Sequence, residues 1–498
     1  MNTKVEKNIF GHTSVLEREA TPVEKSNTSA LKGNMGVGEL VMSVLAFSAP
    51  LVTASGFIPV LLIYSGSSAP FIYLFCTIIL VLFTIGFTKM GLVMERPGGF
   101  YSFITAGLGR NVGLTSAILA TIGYILIGLC LAPFLAILVS SFLTSTSNLP
   151  ELPWYVIAIP FCLLTTYFAY QKVDLSAKVL FFVMVLECII VAGFNIASFV
   201  IGGTTGEITS ISLPAVSSGT FGVAMLFALA NFLGFEATVI FREECKNPKR
   251  TIPLATFIAV IGIGLFYALT AWAFVAYFGG DNIAEVAAGG TADLLLVAVG
   301  ELTTKVIVDC ILIVAMTSAF ASMLAIQNVA SRYLYSLGVD GALPKALGKV
   351  HQKHYSPYVA AFTVGIVWVA LLVVFAISGQ EVEYLYPLFA GSGTFMITII
   401  LFVTSIAIIF YFKKNKQMDM SKWSTLVAPI LGMIGLLFIF YMAITNFGEL
   451  LGSTGAVTAA FFIGILVIIG ASYVYSKIIQ KKKPDVYERI GRQNPENH

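Results

Sequence analysis

Runs of about 20 apolar residues recur along almost the whole chain, and this feature leaves few folds open. As a helix, each run is long enough to cross a bilayer core of about 30 Å. Backbone groups at that depth meet no water, so only helices and closed barrels satisfy them. The runs are rich in Leu, Ile, Ala and Phe and show no two-residue alternation, which predicts helices. Composition agrees: of 498 residues, 57% are hydrophobic and 11% charged, with mean hydropathy +0.90. A soluble protein carries about 25% charged residues. The expected fold class is all-α integral membrane.

Twelve segments are expected, at 37–64, 69–93, 112–143, 154–170, 177–201, 219–241, 253–278, 303–336, 357–378, 385–412, 425–446 and 454–477. Charge then orients them. On this topology every Lys and Arg except Lys305 falls on the side of the even-numbered loops and the two tails. The loops after segments 3, 5, 9 and 11 hold acids (Glu151, Glu207, Glu381, Glu383, Glu449) and no Lys or Arg. This is the positive-inside pattern, and it places both termini in the cytoplasm of a cell bounded by this plasma membrane. The pI near 8.4 follows from that bias and does not point to nucleic acid.

The expected organisation is a cytoplasmic tail over 1–35, a transport core over 36–412, segments 11–12 within 413–478 and a second tail over 479–498. The first tail has no apolar core or cleavage pattern, so no signal peptide is expected. Lys481, Lys482 and Lys483 anchor the last segment at headgroups. Cys76, Cys130, Cys162, Cys188, Cys245 and Cys310 form no CxxC pair and read as reduced core residues. His12, His351, His354 and His498 all lie outside the segments, so no metal site is expected. No cofactor is expected either, and no Walker-type loop is present to hydrolyse nucleotide.

Two segments are interrupted at matching places. Segment 1 contains Thr53-Ala54-Ser55-Gly56, bracketed by Pro50 and Pro59. Segment 6 contains Ala230-Asn231-Phe232-Leu233-Gly234. Proline lacks an amide donor and glycine admits unusual backbone, so each pair unsettles a helix. Breaks in corresponding positions of two halves are the best sequence pointer to a transporter's binding site. Amides at 54–57 would open a half-helix and suit a carboxylate. Carbonyls ending the first half of segment 6 would suit an ammonium. A kink used only for packing is the plainer alternative.

The same residues carry a family resemblance. Gly234-Phe235-Glu236, then Glu243-Glu244 and Asn247-Pro248-Lys249-Arg250-Thr251-Ile252-Pro253, resembles the signature joining segments 6 and 7 in the amino acid–polyamine–organocation superfamily. Ala54-Ser55-Gly56 is similar to its Gly-Ser-Gly break. Pro97-Gly98-Gly99-Phe100-Tyr101 resembles its motif between segments 2 and 3. Ser331-Arg332, Gly338, Asp340-Gly341 and Leu343-Pro344 resemble the stretch after segment 8. The resemblance implies a LeuT-like fold, with segments 1–5 and 6–10 as inverted repeats plus two further helices. It implies secondary transport of amino acids or related amines by alternating access. It also implies that Ala54, Ser55, Gly56 and Phe57 bind the carboxylate, with Ala230, Asn231 and Leu233 by the ammonium or side chain; Thr53, which opens the same stretch, is a further substrate-binding candidate. Ala230 stands where many relatives place an aromatic gate, so Phe227 or Phe232 is expected to serve instead.

Buried ionisable groups are functional candidates by default. Glu187 is near the middle of segment 5, where by resemblance a proton-coupled relative carries a lysine; it is a candidate proton carrier. Thr317, Ser318 and Ser322 in segment 8 offer hydroxyls for a proton network or a sodium site. Glu236 is a candidate gate, tied to a cytoplasmic basic residue. Arg96, Arg110, Arg332, Glu243, Glu244, Lys246, Lys249 and Arg250 are candidates for inner-gate ion pairs. Tyr124 is expected to face substrate, and Tyr73 is a second polar-tipped aromatic. Asp309 and Lys305 are expected to pair on one helix face. Gly123, Gly128, Gly262 and Gly264 read as close-packing positions.

The reading is an amino acid permease, coupled to protons in preference to sodium, with a neutral amino acid favoured. A polyamine or cationic amino acid carrier and an amino acid exchanger stay open. Beyond substrate, proton and lipid, the sequence indicates no partner and leaves the oligomeric state open. A channel should show a continuous polar lining, and here polar groups cluster at mid-depth. A sensor would add a soluble domain, and a membrane enzyme a reactive cluster; neither is evident.

Overall fold

The computed structural model describes residues 35–94, 99–147, 152–171, 177–201, 220–240, 242, 245–290, 293–354, 356–415, 421–452 and 455–491. Helices make up nearly all of it, with one isolated bridge between Met35 and Cys245. Pro97, Gly98, Arg96, Glu243 and Glu244, named above, lie outside the described residues, as does the tail before Met35.

Segment 1 is built in pieces: α1 (Val37–Ser48), α2 (Pro50–Val52), a π turn (Thr53–Phe57) and α3 (Ile58–Ser65). A 3-10 turn then leads into α4 (Ala69–Val93), followed by a short α5 (Gly99–Leu108) and the long α6 (Arg110–Ser147). Next come α7 (Trp154–Gln171) and α8 (Ala177–Ile201). Segment 6 is α9 (Phe221–Ala230), a turn, and α10 (Ala237–Ile240), and α11 (Pro248–Phe278) follows. Two short helices, α12 (Ile283–Gly289) and α13 (Leu294–Leu302), precede α14 (Lys305–Val339). The chain finishes with α15 (Tyr358–Ile377), α16 (Val382–Lys414), α17 (Ala428–Leu450), α18 (Ala456–Lys482) and α19 (Pro484–Arg489).

Among the described residues, nine helices are long and apolar enough to cross a membrane. The protein is therefore a multi-pass membrane protein. That count differs from the twelve segments expected for physical reasons. The run Pro50–Val93 joins the second part of segment 1 to segment 2, segment 6 is two short helices, and α7 has 18 residues with polar ends.

At the centre lies α6, packed against α14, α16, α7 and α18, while α4 packs against α11 and α17. Lipid removes the hydrophobic drive between helices, so close backbone approach does the work. Gly123 and Gly393 let α6 and α16 touch: a Cβ on Gly393 would lie 2.7 Å from the Gly123 carbonyl oxygen. Gly128 receives Trp368, and Gly264 receives Thr77. Gly262 does not belong with them, because it is exposed and nothing lies within 4 Å of its would-be Cβ. The outward faces of α8, α15 and α18 carry Phe182, Val200, Ile366, Ile377 and Leu466, a surface suited to lipid.

Two other expectations are corrected. Lys305 donates to the Ser145 carbonyl at 2.7 Å instead of bridging to Asp309. Cys310 is exposed and Cys188 half-buried, so only four of the six thiols are core residues. The end of the chain is also anchored. Val486 and Ile490 are buried against Tyr101, Leu114 and Leu337. Tyr101 Oη donates to Asp340 Oδ2 at 2.7 Å, and the Gly491 amide donates to both, at 2.9 and 3.0 Å.

Candidate functional site

The break in segment 1 comes at Ala49, four residues before the stretch expected to carry it. Ala49 has φ +42°, the one left-handed non-glycine among the described residues. Pro50 starts the next helix and has no amide to give. The Thr53 hydroxyl donates to the Ser48 carbonyl at 2.8 Å, satisfying an acceptor that the break frees. Residues 53–57 are not unwound. They form a π turn closed by the Ile58 amide on the Thr53 carbonyl, a form that recurs at functional sites.

A second freed group, the Leu51 amide, donates to Glu187 Oε2 at 3.2 Å. Glu187 is 3% exposed and also bonds the Ser318 hydroxyl. One carboxyl from α8 thus touches the restart of segment 1 and the face of α14. Ser318 belongs to this group, whereas Thr317 is exposed and spends its hydroxyl on the Ile313 and Val314 carbonyls of its own helix. Thr317 therefore faces away from the Glu187–Ser318 group.

Segment 6 breaks at the expected place, with a turn over residues 231–236 and Gly234 at φ +103°. Asn231 holds the two breaks together. Its Oδ1 accepts from Thr53 Oγ1 at 3.0 Å, and its Nδ2 donates to Tyr73 Oη at 2.7 Å and the Phe227 carbonyl at 3.0 Å. Tyr267 continues the network, with Oη 2.5 Å from Ser48 Oγ. Glu236 folds back to accept the Gly234 amide at 2.9 Å and the Tyr124 hydroxyl. Its partner is therefore Tyr124, not the cytoplasmic basic residue expected. Arg110 likewise stacks over the Tyr487 ring at 5.5 Å, and Arg242 donates to the Gly91 and Met94 carbonyls that end α4.

Gly234 serves two ends at once. Its φ suits glycine alone, and a Cβ there would lie 2.5 Å from Phe47 Cβ. Gly234→Ala is expected to cost about 2 kcal/mol or more, through strain and overpacking together. A lower midpoint of thermal unfolding in detergent checks this.

Between the breaks lies a cavity of about 30 Å3. Of the expected residues it gathers Phe57, Tyr124, Ala230, Asn231 and Leu233. Thr53, Ala54, Ser55, Gly56 and Phe227 do not line it. The Ser55 hydroxyl bonds the Leu51 carbonyl at 2.7 Å, and Phe227 stacks on Tyr64 at 6.1 Å. Phe232 is buried elsewhere too, so neither phenylalanine replaces the missing aromatic gate. Sequence reasoning missed Phe47, Val52, Ile127, Leu131 and Ile326, ordinary apolar residues until the fold brings them together. Ser322 also lines the cavity, with its hydroxyl buried and without a partner among the described residues. Most buried helical Ser and Thr here return their hydroxyl to the carbonyl four residues back, as Ser331 does to Gln327 at 2.7 Å. Ser322 turns to the cavity instead.

Comparison with known proteins fits this arrangement. The chain is 26% identical to the gamma-aminobutyric acid permease of Escherichia coli over 306 residues, 59% of this chain and 63% of that protein. It is 27% identical to the branched-chain amino acid permease BcaP of Bacillus subtilis over 44% of this chain and 45% of the relative. With BcaP of Lactococcus lactis it shares 24% identity over 82% of this chain and 87% of the relative. The first two matches thus span less than two thirds of the relatives' length. A model of the amino acid permease family matches residues 40–472. With a match over that much of its length, the chain belongs to the amino acid permease family.

Proposed function

We propose that this protein is a secondary transporter that moves a neutral amino acid across the plasma membrane by alternating access, driven by protons. The observation that carries the reading is the meeting of two broken helices at one small cavity, with a buried carboxyl at the restart of the first. A cavity of about 30 Å3 holds a water or two and no amino acid, so its walls must part to load. The breaks at Ala49 and at 231–236 supply the hinges. None of the lining residues is charged, which favours a neutral substrate over a polyamine. The relatives' names point the same way.

In this reading the chain crosses the membrane twelve times with both termini in the cytoplasm, and segments 1–5 and 6–10 are LeuT-like inverted repeats. Residues 36–412 are the transport core, 413–478 hold the last two helices, and 1–35 and 479–498 flank them. Thr53, Asn231, Phe57, Tyr124, Ala230 and Leu233 face or frame the substrate. The π turn over Thr53–Phe57 takes the carboxylate when it opens, with Ala54, Ser55 and Gly56 supplying backbone. Glu187 carries the coupling proton, with Ser318 as its hydrogen-bond partner, and Glu236 with Tyr124 closes the inner side. The proton is preferred to sodium because a carboxyl already occupies the place between α2 and α14.

The test is uptake by purified protein in liposomes across a broad panel of amino acids and amines, under an imposed proton gradient or a sodium gradient. Accumulation of one or more neutral amino acids under the proton gradient is the expected result. Failure to bind or move any compound of the panel would sink the transport reading.

A further inference from the structure

Tyr386 carries a hydroxyl that the packing leaves without a partner. The residue is 3% exposed, and its Oη bonds to nothing among the described residues. Buried tyrosines nearly always find a partner for that group. The ring is fixed by Phe57, edge-on at 5.6 Å, and by Phe134 at 5.1 Å. The hydroxyl points at the π turn: a Cβ on Gly56 would sit 2.6 Å from it. It is aimed at the one residue of that turn with no side chain to stop it. Phe57, next in sequence, both lines the cavity and meets the Tyr386 ring, which does not line it. The aromatic cover that Ala230 fails to provide therefore comes from segments 1, 3 and 10.

We propose that Phe57, Phe134 and Tyr386 form the outer lid of the cavity, and that Tyr386 Oη donates to the substrate's carboxylate when it lies against Gly56 and Phe57. The proposal rests on the transport reading above and gives the lid a chemical task within it. A phenol O–H to a carboxylate is a charge-assisted hydrogen bond, stronger than its neutral counterpart. The cavity is too small for an amino acid, so Phe57 must swing away to admit one. That movement uncovers the Tyr386 ring, which Phe57 meets edge-on, and opens a way from the cavity toward the hydroxyl. No covalent bond changes, and the hydroxyl gains in the loaded state the partner it lacks in this one.

Tyr386→Phe removes one oxygen that bonds to nothing, so the variant is expected to fold and run on a sizing column as the parent does. In liposomes its KM for amino acids should rise about tenfold or more, with the maximal exchange rate changed less than about twofold. The factor should be the same for substrates that differ only in side chain, because the carboxylate is common to all. An unchanged KM overturns the proposal. So does a fall in maximal rate alone, which would mark a mechanical lid, or a factor that varies with the side chain. If the parent protein itself moves no substrate, the transport reading has failed first, and the two failures are told apart by that control.

Discussion

Replacing Glu187 with glutamine is expected to leave a folded protein that exchanges substrate across the membrane but no longer accumulates it when the exterior is acidified. Glutamine keeps the shape of the side chain and one carbonyl oxygen for the Leu51 amide, which otherwise donates to Glu187 Oε2 at 3.2 Å. What it cannot do is bind and release a proton. The parent should work faster as external pH falls, since the carboxyl must load from that side, and the variant should be flat. Coupling free energies run at about 1–3 kcal/mol, so the proton-driven rate should drop by about 5- to 150-fold. Glu187→Leu is the harsher control: it strands the Leu51 amide in a buried place and should also reduce stability. Uptake and counterflow in liposomes between pH 5 and 8 decide the matter, and a glutamine variant with the parent's pH dependence would remove Glu187 from coupling.

A larger loss is expected from Gly56→Leu. A Cβ at Gly56 would lie 2.6 Å from Tyr386 Oη and 2.9 Å from Phe134 Cε2, both on fully packed rings. Overpacking of this kind costs about 1–3 kcal/mol, and here it falls on the turn that must open. Transport should fall below detection even in the fraction that folds. Gly56→Ala is the graded version. If the clash with the hydroxyl is the main cause, Tyr386→Phe should relieve part of the damage of Gly56→Ala, giving a favourable coupling in the double-mutant cycle. Normal uptake by Gly56→Leu would show that this turn is no part of the moving site.

The membrane class was legible from apolar run length, because the bilayer imposes a length that composition cannot disguise. The break in segment 6 was legible too, since Gly234 advertises a left-handed turn. In segment 1 the sequence marks Thr53–Gly56, where the structure has a π turn, and not the sharper break at Ala49. The better signal was Pro50, which pushes the residue before it out of the helical region and so marks Ala49. Gly56 sits inside the π turn, where Tyr386 and Phe134 pack against the place a side chain would take. Pairings between distant residues left no trace in sequence: Leu51 with Glu187, Tyr124 with Glu236, Asn231 with Thr53. Thr317 and Ser318 are neighbours in sequence, and only helical phase sends one out and the other to Glu187.

The π turn over Thr53–Phe57 has a mechanical consequence. It holds one residue more than the ordinary pitch needs. Were it to move along the helix, the residues it passes would turn by about 100°, one residue's share of a turn. Most axial hydrogen bonds would re-form one step along. A one-notch slip of this kind would present a different face of the passed stretch of α3 to its neighbours without unravelling it.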